Sequence, residues 1–301
     1  MDNLALLILC FVAGFVARKT GRLPEQTPAV LNSFIINLSL PAITFLFLHE
    51  MPFSTKLIYP VVMPWIGFIV AIIFFKTAQR IMNLSQETTG CLILVGGLGN
   101  TSFVGLPMIS AYYGPEYLGI GILCDQPGSF LVLSTLGIMI ATMHSSGTVS
   151  AGALAKKILT FPPFQAVMLG LAFRAVPIPD WSIGMMKGLG ATITPLAMVS
   201  VGYQLKFAMT DRLLSKLSIG LFFKLLLVPA LIYFLYVIVL QTSGIEIQVT
   251  IFEAAMGPMI TAGIIAMQYD LDKDLATMMM GIGIPISFIT LPIWYYFLLG
   301  V

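Results

Sequence analysis

The chain of 301 residues is 58% hydrophobic and only 9% charged, with a formal net charge of +2. A soluble domain keeps about 25% charged residues to cover its surface, so a bilayer is the expected solvent, and the near-neutral balance leaves no basic face for nucleic acid. No Gly-x-x-x-x-Gly-Lys loop, His-Glu-x-x-His motif or Gly-x-Ser-x-Gly elbow occurs, which argues against an enzyme and against a bound cofactor.

Crossing the hydrocarbon takes about 20 apolar residues. In chain order, spans are expected at about 3–17, 29–48, 57–79, 88–113, 117–143, 161–176, 184–203, 216–240, 247–268 and 274–299. The first follows Met1-Asp2 without a basic leader or a small-residue cleavage site before Arg18, so it reads as a membrane helix, not a removable signal. Cys10, Cys91 and Cys124 lie in apolar runs and read as small hydrophobes, with no metal or disulfide framework. With the N-terminus outside, the inner loops hold eleven Lys and Arg, against three (Lys56, Arg174, Lys187) in the outer loops. The positive-inside rule then puts both termini on the extracytoplasmic side of the plasma or inner membrane.

A hydrophilic stretch at 144–160 parts a first five-helix repeat (1–143) from a second (161–301) and reads as a cytoplasmic linker. Four matches support duplication. Gly14 to Arg18 pairs with Gly170 to Arg174, and Leu40-Pro41-Ala42-Ile43 with Thr194-Pro195-Leu196-Ala197. Leu106-Pro107-Met108-Ile109-Ser110 pairs with Gly257-Pro258-Met259-Ile260-Thr261, and Gln126-Pro127 with Ile284-Pro285. The offsets run from 151 to 158 residues. Five spans per repeat is an odd number, so the second enters the membrane from the opposite side. Inverted repeats with interrupted helices are a transporter pattern.

The fourth span contains Gly96-Gly97-Leu98-Gly99-Asn100-Thr101-Ser102-Phe103-Val104-Gly105-Leu106-Pro107, and the ninth repeats the arrangement as Met256-Gly257-Pro258-Met259-Ile260-Thr261. Glycine propagates a helix poorly and proline removes a donor. Unwound backbone at membrane depth survives where it lines a cavity or is buried in protein. The alternative is a plain proline kink; two breaks at equivalent positions, one with Asn-Thr-Ser, favour a binding site. Segments starting near Pro107 and Pro258 would offer N–H groups to an anion, and segments ending near Gly99 and Gly257 would offer carbonyls to a cation. Both polarities meet if the two broken helices cross. Asn100, Thr101, Ser102, Pro107, Gly257, Pro258 and Thr261 are the substrate-binding candidates.

Glu253 lies one turn before the second break, and Asp125 lies mid-span beside Gln126-Pro127. A carboxylate at the helix centre costs roughly 2.5–3.5 kcal/mol on insertion scales, so such acids usually titrate or bind a cation. Glu253, Asp125 and Gln126 are the ion-coupling candidates; a packed neutral Asp125 and a capping Glu253 are the alternatives. Lys224 is expected to snorkel or to pair within the bundle. His49 and His144 are expected at the interface, and the methionines as apolar filler.

Two stretches carry a family resemblance: Leu31-Asn32-Ser33-Phe34-Ile35-Ile36-Asn37-Leu38-Ser39-Leu40-Pro41-Ala42, and Gly99 through Pro107 followed by Tyr112-Tyr113-Gly114. With these the chain resembles short bacterial members of the auxin efflux carrier family, over essentially its whole length. The resemblance implies a fold similar to that of the bile-acid sodium symporters. Spans 1, 2, 6 and 7 would be a scaffold, and spans 3–5 and 8–10 a mobile core carrying crossed spans 4 and 9. It implies a small organic anion as substrate, auxin-like or malate- or malonate-like. Glu253 looks like the ion-site glutamate of the symporter relatives, which suggests sodium held with Asn100 as the coupling ion, though a proton remains open. Where plant carriers have asparagine at both breaks, Gly257-Pro258 stands at the second, and the long cytosolic loop is missing.

The expectation is thus an all-α polytopic membrane protein of ten helices in two inverted five-helix repeats. It would act as a secondary carrier of a small carboxylate by alternating access, ion-coupled. A sodium/proton antiporter and a ligand-binding membrane receptor are the rivals. Expected partners are the carboxylate, the lipid bilayer and, as an open alternative, a second copy in a homodimer.

Overall fold

The computed structural model describes all residues except 1, 52, 53, 146–151, 153–155, 157 and 206–212. Much of the 144–160 stretch, with Lys157, and the inner-loop Lys206 and Arg212 lie outside the described residues. Among the described residues the chain is helical, with no strand and one isolated β-bridge. In order come α1 (Asp2–Thr20), α2 (Thr27–Glu50), α3 (Thr55–Met82) and α4 (Gln86–Cys91, continued by the wide turn Leu92–Gly96). The chain continues through α5 (the wide turn Thr101–Gly105 and Leu106–Tyr112), α6 (Pro115–Met143), α7 (Pro162–Ala172), α8 (Asp180–Ala191) and α9 (Ile193–Gln204). Last are α10 (Leu214–Val239), α11 (Ile245–Ala254), α12 (Ile260–Gln268) and α13 (Lys273–Leu298).

Among the described residues, α2, α3, α6, α10 and α13 are long and apolar enough to cross a membrane. Ile73, Ile289 and Ile293 on them are exposed. In water such surfaces would associate; in lipid they need no cover. The chain is a polytopic membrane protein.

Proline explains most irregularities. Pro41, Pro107 and Pro229 each stand two residues after a turn with i→i+5 spacing, at Ile35–Ser39, Thr101–Gly105 and Phe223–Leu227. Proline offers no N–H to the carbonyl four residues back and clashes with it, so the turn widens. The carbonyl freed by Pro229 is that of Leu225, and the Trp294 indole N–H donates to it at 3.0 Å. The seventh span, expected as one helix over 184–203, is divided into α8 and α9 at Thr192. Pro195 is the cause, since it displaces the carbonyl of Ala191.

Two compact units emerge from the packing. Unit 1 comprises Met1–Thr55, Ser102–Ile122 and Ala155–Leu205; unit 2 comprises Lys56–Thr101, Leu123–Leu154 and Lys206–Val301.

Within unit 1, α1 lies on α9 with backbone against backbone. A Cβ on Gly14 would strike the carbonyl of Val199, and one on Gly202 that of Phe11. Arg18 then reaches the end of α9, donating to the carbonyls of Leu205 (2.7 Å) and Tyr203 (3.3 Å). The matched pair behaves alike: Gly170 of α7 lies against the Phe45 carbonyl of α2, and Arg174 donates to the Met51 carbonyl just past the end of α2. Ser39 in the wide turn of α2 shares a 2.7 Å hydrogen bond with Thr192 at the α8–α9 break. The interruptions set by Pro41 and Pro195 are thereby tied together.

Within unit 2, Ser85 caps α4 and Asp272 caps α13. Thr88 donates to Asp272 at 2.7 Å, and Lys216 lies 3.7 Å from the same carboxylate, which ties the starts of α4, α10 and α13. The cysteines are free thiols, Cys91 and Cys124 buried and Cys10 half-buried. His49 meets the Val176 carbonyl at 2.8 Å; His144 ends α6, buried, against the Ile140 carbonyl.

Candidate functional site

The buried charges of unit 2 gather at the two helix breaks. Helix α4 gives way after Gly96 and α11 after Ala254, and the unwound strands between these ends and the next helices lie side by side. Gly99 and Pro258 form an antiparallel bridge. The Asn100 N–H donates to the Gly257 carbonyl at 2.8 Å, and the Met259 N–H to the Leu98 carbonyl at 3.0 Å. Two stretches that have left their own helices thus satisfy each other, which is how bare backbone is tolerated at membrane depth. Glycine is required by space: a Cβ on Gly257 would come within 2.9 Å of the Ser287 hydroxyl and 3.1 Å of the Ile284 backbone.

Charged and polar side chains converge on this pairing. Asn100, Thr101, Asp125, Gln126, Lys224 and Glu253 are all at most 2% exposed. The Thr101 hydroxyl donates to Asp125 Oδ1 at 2.6 Å, and the Gln126 amide donates to Oδ2. Asp125 and Gln126 ride on the wide turn Cys124–Phe130 of α6, opened by Pro127, whose own carbonyl accepts from the Trp65 indole at 3.1 Å. Lys224 rides on the wide turn of α10 and donates to the Ala254 carbonyl at 3.0 Å. Wide turns of this kind recur at functional sites because they aim one side chain off the regular helix face.

Glu253 is fully buried on the last turn of α11, and neither carboxyl oxygen finds a hydrogen-bond partner among the described residues. Backbone carbonyls crowd the same end: Ala255 N–H is shared between Ile251 and Phe252, and Met256 N–H takes Glu253. A carboxyl beside a helix's carbonyl end invites positive charge. The opposite pole is the start of α12, whose first N–H groups have no partners within their own helix.

Of the candidates, Asn100, Thr101, Asp125, Gln126, Glu253, Gly257 and Pro258 share unit 2. Thr261 is exposed on the first turn of α12. Ser102 and Pro107 belong to unit 1, where Pro107 lines a cavity of about 830 Å³ with Ile43, Phe47, Ser110 and the charged Glu50 and Lys187. Lys224 was not among the candidates, because its partner Ala254 lies thirty residues on and carries no polar side chain.

Residues 1–295 match the family model described as membrane transport protein. Two relatives are similar along nearly their full length. An uncharacterized transporter of Methanothermobacter thermautotrophicus is 28% identical over 295 residues, covering 97% of this chain and 95% of the relative. An uncharacterized transporter of Methanocaldococcus jannaschii is 25% identical over 314 residues, covering 100% and 99%.

Proposed function

The chain belongs to the membrane transport protein family, the auxin efflux carrier-like group, and on that premise we propose that it is a secondary carrier of a small organic anion, coupled to a cation at Glu253. One observation carries the reading: two unwound segments pair with each other inside unit 2, and the buried charges of the described residues stand around them. A mere proline kink would need no such partners. Asn100, Thr101 and the start of α12 would hold a carboxylate, and Glu253 with Asp125 would handle the cation. Burial of these groups disfavours an open pore and suits alternating access, in which the site meets one side at a time. The matched Gly–Arg contacts in unit 1 support the repeat. Both termini would face the extracytoplasmic side; an impermeant thiol reagent should then label a cysteine placed at position 2 but not one at position 148.

Counterflow of labelled mono- and dicarboxylates in proteoliposomes tests the reading. The protein should exchange at least one of them, and Asn100→Ala should weaken its binding by about 1–3 kcal/mol, the cost of leaving a buried polar partner unmatched. Wild-type affinity in Asn100→Ala would reduce the pairing to a structural joint. Cation flux that persists in that variant, with no carboxylate exchanged by either protein, would favour an antiporter.

A further inference from the structure

The carbonyl end of α11 already holds an amine, and it belongs to the chain. Lys224 is 2% exposed, and its amine donates to the Ala254 carbonyl at 3.0 Å, one residue from Glu253. Room for it comes from Gly99: a Cβ there would stand 3.0 Å from the ammonium nitrogen and 3.5 Å from the Glu253 carbonyl oxygen. Ammonium, glycine and carbonyls thus occupy one small space at the paired breaks. The charge acting on Lys224 across it is that of Glu253; the charged groups acting on Glu253 are Asp125 from α6 and Lys224 from α10.

A sodium ion would seek the same features: free carbonyl oxygens, an acid without hydrogen-bond partners, and a helix's negative end. Two like charges this close, away from water, repel by several kcal/mol even at an effective dielectric constant of about 20. We propose that the Lys224 ammonium is a resident cation at the paired helix breaks, standing where a coupling sodium would stand, so that the wild-type protein binds no sodium there and a proton is the cation left for Glu253 to couple. This rests on the paired breaks being the transport site, but its test needs no substrate.

Binding of radioactive sodium to purified protein, with melting temperature at constant ionic strength, decides it. The wild type should bind no sodium and melt at the same temperature in sodium and potassium chloride. Lys224→Ala should bind about one sodium per chain, melt a few degrees higher in sodium than in potassium, and lose both effects when Glu253→Gln is added. Should Lys224→Ala not stay monodisperse, Lys224→Gln keeps a donor for the Ala254 carbonyl and enters the same comparison. Sodium binding by the wild type that Glu253→Gln removes would overturn the proposal, whatever the variants do. So would sodium binding by neither Lys224 variant. A failed carboxylate screen beside the expected sodium results would count against the carrier reading alone.

Discussion

In unit 1 helices meet backbone to backbone at glycines, whereas unit 2 holds the buried charged side chains of the described residues. Gly14, Gly170 and Gly202 bring helix backbones into direct contact, and the buried polar groups of unit 1 among the described residues are the hydroxyls of Ser39, Thr44 and Ser200. Buried Asp125, Lys224 and Glu253 all belong to unit 2. Membrane helices gain little from burying apolar surface against each other, so close packing of small residues is what holds them. Buried charge does the opposite, costing stability wherever it is kept. Unit 1 is therefore built for cohesion, and unit 2 keeps charge at some cost to it; under the proposed function that cost serves transport.

Substitutions should separate the two. Gly202→Val places a side chain into the Phe11 carbonyl, which cannot yield without parting α1 from α9. Overpacking of this kind should cost about 3 kcal/mol, read as a lowered melting temperature in detergent, with transport per folded molecule unchanged. Thr101→Val takes a 2.6 Å donor from the buried Asp125 carboxylate and should cost about 1–3 kcal/mol. Here the loss should appear in uptake, and Thr101→Ser, which keeps the hydroxyl, should restore it. A Thr101→Val protein that melts early yet transports normally would make unit 2's polar interior as structural as unit 1's contacts. Smallest is Ser39→Ala, which removes one hydrogen bond while Thr192 keeps its bond to the Leu189 carbonyl. A cost of about 0.5–1.5 kcal/mol is expected, seen by thermal melting and absent from transport assays.

Local rules made the breaks legible. Gly-Gly-Leu-Gly-Asn and Gly-Pro cannot sustain a helix, so their positions could be read directly, and acids in apolar runs announced Glu253 and Asp125. The matched Gly–Arg segments do the same local task, a close approach followed by a donor to a helix end. What stayed hidden depends on partners far along the chain. Nothing near Lys224 reveals that its amine meets Ala254, and nothing near Ser102 and Pro107 shows that they are grouped with unit 1. Nor does motif matching resolve a helix phase, so the exposure of Thr261 on α12 was not legible either.

The central claim is that Glu253 couples movement of an anion to a cation. It is tested most directly by comparing Glu253→Gln with wild type in proteoliposomes, using the carboxylate that counterflow selects. The variant should fail to accumulate substrate under an imposed cation gradient yet still exchange it across equal concentrations, since a neutral side chain removes the coupled charge and leaves the anion contacts. Concentrative uptake by Glu253→Gln equal to wild type would contradict the account.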